Sequence, residues 1–158
     1  MVILWGPNAA ETRMRMIKSY LDAWDRGAKL VMISPMYHAT AAKCDQWIPV
    51  RLGADAALAM SMINVIIEKK LYDEDFIRNH SVGPFLVNPK TGLFLREKDL
   101  HPGGDPIKYV IQDAASGKAV SHDKEGAVAF ILGRYKVGSL ECPTAFQLLV
   151  ERAAEYQP

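Results

Sequence analysis

The sequence is poor in the groups that usually carry chemistry. Its 158 residues hold two cysteines, Cys44 and Cys142, nearly a hundred positions apart. That separation gives neither a disulfide framework nor a zinc knuckle. The four histidines, His38, His80, His101 and His122, show no metal-ligand spacing and read as surface or capping residues. Ser121 and Ser139 have no neighbouring base, so no catalytic residue and no metal ligand is assigned. A three-glycine phosphate fingerprint is also missing, which argues against ordinary NAD or FAD binding. Neither charge sign is in excess. A formal net charge of +1 lacks the basic stripe of a nucleic-acid binder, and no nucleic-acid partner is expected. The longest apolar stretch, Ala54 to Ile67, is interrupted by Asp55, Ser61 and Asn64. It falls short of the roughly 20 apolar residues of a bilayer span, and no membrane partner is expected.

What is present reads as α/β. With 49% hydrophobic residues the chain can build a real core. Val2 to Trp5 is a short buried strand. A helix is predicted over Ala10 to Arg26, because Met14, Ile17, Tyr20, Leu21 and Trp24 recur at three- and four-residue spacing. Gly27 stops it, and Leu30 to Ile33 is a second strand. Strand, helix and strand with short links make a right-handed parallel βαβ unit. A helical turn near Thr40 to Cys44 precedes a third strand, Trp47 to Val50. The helix predicted over Ala56 to Lys70 is apolar nearly all round, which calls for burial on most sides. A domain this small has little to cover it with, so missing partner domains or self-association through exposed apolar surface are expected. Met1 abuts the first strand and "ERAAEYQP" ends just after a helix, which fits a piece of a longer chain.

Asp73 caps a short helix. Beyond His80 the texture changes to two hairpins within roughly 84–122, one turning at Asn-Pro-Lys-Thr-Gly and one at Ser116-Gly117. A helix follows from Pro143 to Tyr156, with Phe146, Leu149, Val150 and Ala153 on one face. The fold expected is a Rossmann-like three-layer core with a short parallel sheet, a β-hairpin excursion and a C-terminal helix. Its parts are 1–83, 84–124 and 125–158.

Three places invite a ligand. In "WGPNAAET" a single glycine, Gly6, allows close approach to the backbone, and Asn8 stands before a helix whose N-terminus attracts anions. Asn8 with Glu11 three residues on also forms a capping box, which needs no ligand. In "RLGADAAL", Gly53 and Asp55 open a helix. Asp55 can be an N-cap, or its two acceptor oxygens can meet the two parallel donors on the Watson–Crick edge of guanine. Ser34, at the end of the second strand, stands where nucleotide-binding βαβ units commonly place an acid for the ribose hydroxyls.

The order of these pieces resembles a known family. "VILWGPNAAET" followed by "DRGAKLVMISPMYHATAAKCDQWIPVRLGADAALAMSMINVIIEKKLYDEDFIRNHSVG" is similar to the molybdopterin oxidoreductases of the dimethyl-sulfoxide-reductase type. In that family a strand leads into a G-x-N turn and a second strand ends in an acid-Pro pair. A T-x-x-A-x-x-A-D segment then precedes a P-[IV]-[RK]-x-G-x-D-A-A-L turn and a long apolar helix. "CPTAFQLLVERAAEY" resembles the family as well. The likeness is specific through residue 80 and looser from 84 to 140. It implies a role in holding one molybdopterin guanine dinucleotide, in a longer subunit that carries molybdenum or tungsten. Gly6 and Asn8 would face the diphosphate and pterin side, Ser34 the ribose, and Gly53 and Asp55 the guanine. Thr40 and Asp45 match the intervening segment without an assigned role. Ser34 and Met36 depart from the family's usual acid and frequent Arg, and the cysteine cluster and metal-ligand segment of the family have no counterpart in these residues. The chain alone is therefore expected to be inert, its partners being the remaining domains of the parent subunit. The competing reading is a stand-alone α/β interaction or regulatory module that has lost the cofactor.

Overall fold

The computed structural model describes residues 1–157. Its contacts divide the chain into two compact units, Met1–Ala59 and Met60–Pro158.

The first unit is built on three parallel strands in the order β1 (Val2–Trp5), β2 (Leu30–Ser34), β3 (Gln46–Pro49). Register pairs Val2 with Leu30 and Ser34 with Pro49. The parallel arrangement expected of the βαβ pattern is what forms. β2 is central and buried at all five positions, which is why "LVMIS" is a continuous run rather than an alternation. Leu4, Met32 and Ala41 form the core of this unit, with Val2, Tyr20, Cys44 and Trp47 packed around them.

The helix predicted over Ala10 to Arg26 is broken. α1 covers Ala9–Thr12 and α2 covers Met14–Asp25, with Arg13 between them at φ −139°, ψ 59°. The Thr12 hydroxyl donates back to the Asn8 carbonyl at 2.8 Å, a local side-chain bond that competes with helix continuation. Ile17, Tyr20 and Leu21 turn inward, whereas Met14 is 71% exposed. At the other end Gly27 takes φ +87°, and Ala28 N donates to Ala23 O, which closes the helix.

α3 spans Asp55–Glu68, and Asn64 is its one buried residue. The apolar positions expected to be covered are instead half-exposed, with Met62 and Ile66 at 37% and 40%. The described residues do not supply the surface that the sequence pattern calls for. Asn64 hides its amide by donating to Glu68 Oε1 at 3.2 Å, one turn on.

The second unit holds α4 (Glu74–His80), capped as expected by Asp73, whose carboxylate accepts from Phe76 N at 2.9 Å. The first expected hairpin is reduced to local pairing: Val87 bridges Phe94, and Leu95 N bonds Leu86 O. The second is present as β4 (Val110–Gln112) against β5 (Ala119–Ser121). A third hairpin, β6 (Arg134–Val137) with β7 (Leu140–Pro143), lies in the part 125–158, for which the sequence predicts only a helix. Its two-residue Gly-Ser turn needs the positive φ of 59° that Gly138 provides. Pro143 therefore ends a strand rather than opening a helix. α5 covers Ala145–Ala153, with the buried Thr144 hydroxyl accepting from Gln147 N. Leu86, Leu95, Val110 and Cys142 form the core here.

Two carboxylates tie down the β4–β5 hairpin. Asp113 is held well below the ordinary carboxylate range by the Ser116 hydroxyl and by the N–H groups of Val128 and Ala115. Asp123 is lowered to about 2 by Lys108, at 2.8 Å, and by the Ser121 hydroxyl. Both folded values lie below the unfolded one, so their stabilisation is complete above an ordinary carboxylate pKa and is lost as pH falls through the folded values. Urea unfolding followed by circular dichroism should show a midpoint that falls between pH ~5 and ~2. Asp113→Asn should lower the midpoint at neutral pH and flatten that fall.

Candidate functional site

Because the three strands are parallel, their C-terminal ends share one edge of the sheet. In open α/β sheets that edge is where ligands bind. It gathers Trp5, which ends β1, and Gly6 after it, Pro35 and Met36 after β2, and Val50 to Asp55 after β3. A groove of about 680 Å³ there is lined by Pro35, Met36, Pro49, Val50, Arg51 and Leu52. Gly6 and Gly53 adopt φ of +80° and +83°, and a Cβ at either would meet no atom within 4 Å. Both glycines are thus required by backbone conformation, and both face open space.

Asn8 does not cap its helix by the expected box. Its Nδ2 donates to Glu11 Oε2 at 2.7 Å, and its Oδ1 accepts from the Thr40 hydroxyl at 3.0 Å. Thr40 accepts in turn from Ala10 N at 2.9 Å. The capping oxygen therefore comes from a fully buried threonine 30 residues away, which sequence spacing could not show. α1 is also only four residues long, so little macrodipole is left to attract an anion.

Ser34 is 2% exposed. Its hydroxyl donates to Met36 O and accepts from Trp47 Nε1 at 3.3 Å. The structure spends it inside the protein, fixing the Pro35–Met36 rim, rather than presenting it to solvent. Asp45 anchors the opposite end of β2. It accepts from Leu30 N at 2.7 Å and from Trp24 Nε1 at 3.1 Å, and these bonds lower its pKa.

Asp55 begins α3 and is exposed. Its Oδ1 accepts from the indole Nε1 of Trp5 at 2.7 Å. This contact, like the place of Arg51 on the groove wall, escaped the sequence reading, although Arg51 fills the [RK] position of the motif before Gly53. Elsewhere, burial raises the thiol pKa of both Cys44 and Cys142, the nearby Asp45 charge adding to it at Cys44. His38 Nδ1 accepts weakly from Ala41 N at 3.4 Å, and its Nε2 is buried without a partner. Among the described residues no three His, Cys, Asp or Glu side chains converge on a point that could hold a metal ion. No described helix is long and apolar enough to cross a membrane.

A family model described as molybdopterin oxidoreductase matches residues 1–141. The dimethylsulfide dehydrogenase alpha subunit of Rhodovulum sulfidophilum is 37% identical over the whole chain and is covered over 18% of its own length. The perchlorate reductase alpha subunit of Dechloromonas aromatica is 40% identical over 75% of the chain and 13% of its own length. A putative dimethyl sulfoxide reductase catalytic subunit from Halobacterium salinarum is 32% identical over 99% of the chain and 19% of its length. The chain thus spans less than a fifth of these relatives.

Thr40 yields a direct test of the local geometry. Thr40→Val keeps the shape but leaves Asn8 Oδ1 and Ala10 N–H without their partner in a partly buried place. The expected loss is about 2 kcal/mol, read by urea unfolding with tryptophan fluorescence, since Trp5, Trp24 and Trp47 all lie in the first unit. Thr40→Ser should recover most of it.

Proposed function

The chain belongs to the molybdopterin oxidoreductase family, and on that premise we propose that it holds the guanosine diphosphate end of one molybdopterin guanine dinucleotide within a longer catalytic subunit. The observation that carries this reading is the meeting of Gly6, Asn8, Gly53 and Asp55 on the C-terminal edge of one parallel sheet. The chemistry of the donor set fits the group. Asp55 offers an exposed carboxylate to the two donors of guanine. Open space at Gly6 and Gly53 admits a ligand against the backbone. The remaining Nδ2 proton of Asn8 and the Arg51 guanidinium are suited to phosphate oxygens.

When bound, the cofactor supplies two-electron redox chemistry at its metal. The residues of this chain bind and orient its nucleotide end. With the short α1 contributing little, the pull on the diphosphate comes from Gly6, Asn8 and Arg51. The ribose would meet the Pro35–Met36 rim, and Ser34 would act by holding that rim through Met36 O. The segment is catalytically inert by itself, its partners being the other domains of the subunit. Within the chain we propose a Rossmann-like cofactor-binding core over 1–83, a β-hairpin insertion over 84–124 and a C-terminal helical segment over 125–158. The half-exposed apolar residues of α3 are the surface we assign to that docking, and to self-association when the docking partner is absent.

The test is Asp55→Asn in the longer subunit that contains this segment. It keeps one acceptor but sets an amide donor against guanine's donors. Pterin guanine dinucleotide content per subunit should fall about tenfold, with little change in thermal unfolding. Full occupancy, and unchanged release on mild heating, would remove Asp55 from the site.

A further inference from the structure

Trp5 has no part in the reading above, yet it holds the carboxylate on which that reading depends. It closes β1, whose register with β2 runs from Val2 through Trp5, so its backbone is fixed by the sheet. Asp55 stands fifty residues later at the start of a helix, where among the described residues its carboxylate makes no other hydrogen bond or ion pair. The 2.7 Å bond from Trp5 Nε1 to Asp55 Oδ1 refers this side chain to the sheet. Both partners are exposed, Trp5 at 36%, so water could satisfy either. The contact is not forced by burial. Its effect is to stop rotation of the carboxylate about its last torsion, which is otherwise broad.

We infer that Trp5 is a positioning residue that sets base preference at Asp55. One lone pair of Oδ1 is taken by the indole, which leaves the rest of Oδ1 and all of Oδ2 as a fixed pair of acceptors. Such a pair matches N1–H and the exocyclic amino group of guanine and mismatches adenine, which offers an acceptor at N1. Trp5 also dictates what an amide at position 55 must do. An indole donor selects the amide oxygen, so the amide nitrogen is turned toward the base. The inference rests on the reading that Asp55 holds guanine, and the experiment separates the two.

The 158-residue chain is titrated with guanosine diphosphate and with inosine diphosphate, which lacks the exocyclic amino donor. Binding is followed by amide and indole NMR shifts in wild type, Trp5→Phe, Asp55→Asn and the double variant. Trp5→Phe keeps an aromatic ring and removes only the donor, and dispersed amide spectra establish that each variant is folded. Wild type should favour guanosine diphosphate about tenfold. Either single change should bring that ratio close to one, and the double variant should fall no further, because Trp5 acts through Asp55. The Trp5 indole resonance should move in Asp55→Asn before any ligand is added. If Trp5→Phe keeps the wild-type ratio while Asp55→Asn loses it, the positioning role is overturned and the site reading stands. Losses that add in the double variant overturn it as well, since Trp5 would then act independently. If Asp55→Asn keeps the preference, or if wild type does not respond to guanosine diphosphate, the site reading falls and the inference falls with it.

Discussion

The first unit depends on the hydroxyl of Thr40. The side chain is fully buried, and it joins the turn after β1 to the segment after β2 by one donated and one accepted hydrogen bond. Parallel strands cannot be joined by a tight hairpin, so the segments that leave them need ties of their own beyond the ladder. Thr40 supplies one. It satisfies the orphan N–H of Ala10, the second residue of α1, and it fixes which way the Asn8 amide points. With Oδ1 turned toward Thr40, Nδ2 faces Glu11 and the turn. A buried hydroxyl with both roles filled is stable where it sits and costly to replace.

Much of this was legible in the residues. Three apolar runs separated by one amphipathic helix dictate a parallel βαβ start, and strand boundaries fell within one residue of the pattern. Gly27, Asp73 and the Ser116-Gly117 turn did what their chemistry requires. Most of the misses share a cause. The cap from Thr40, the inward use of Ser34 and the Trp5–Asp55 bond are decided by contacts that a spacing argument does not contain, whereas the break at Arg13 accompanies the local Thr12–Asn8 bond. Thr40 is thirty residues from the N–H it caps, and Trp47, which donates to Ser34, is thirteen residues on. The β6–β7 hairpin is a different kind of miss. "RYKVGSLECP" carries alternation around a Gly-Ser pair, a signal present in the sequence and overlooked because the helix after it is stronger.

The two units also differ in how they hold themselves together. The first relies on a continuous buried strand and a few polar clamps at its ends. The second is loop-rich, and its short hairpins are stabilised by carboxylates that collect backbone N–H groups and hydroxyls, as Asp113 does with Val128, Ala115 and Ser116. An acid that gathers donors in this way does the work of a longer strand ladder, at the expense of acid tolerance.

The two borders of the three-stranded sheet are not equivalent. Val50 N donates to Ser34 O, so the neighbouring Pro49 nitrogen points away from β2, and that nitrogen has no hydrogen to give. The outer side of β3 is stoppered there. On β1, Val2 N and Gly6 N donate toward β2, which turns the N–H groups of Ile3 and Trp5 outward. No proline or charge lies along "VILW" to discourage pairing. The β1 border is therefore the less protected of the two, and it ends at Trp5, the residue whose indole holds Asp55.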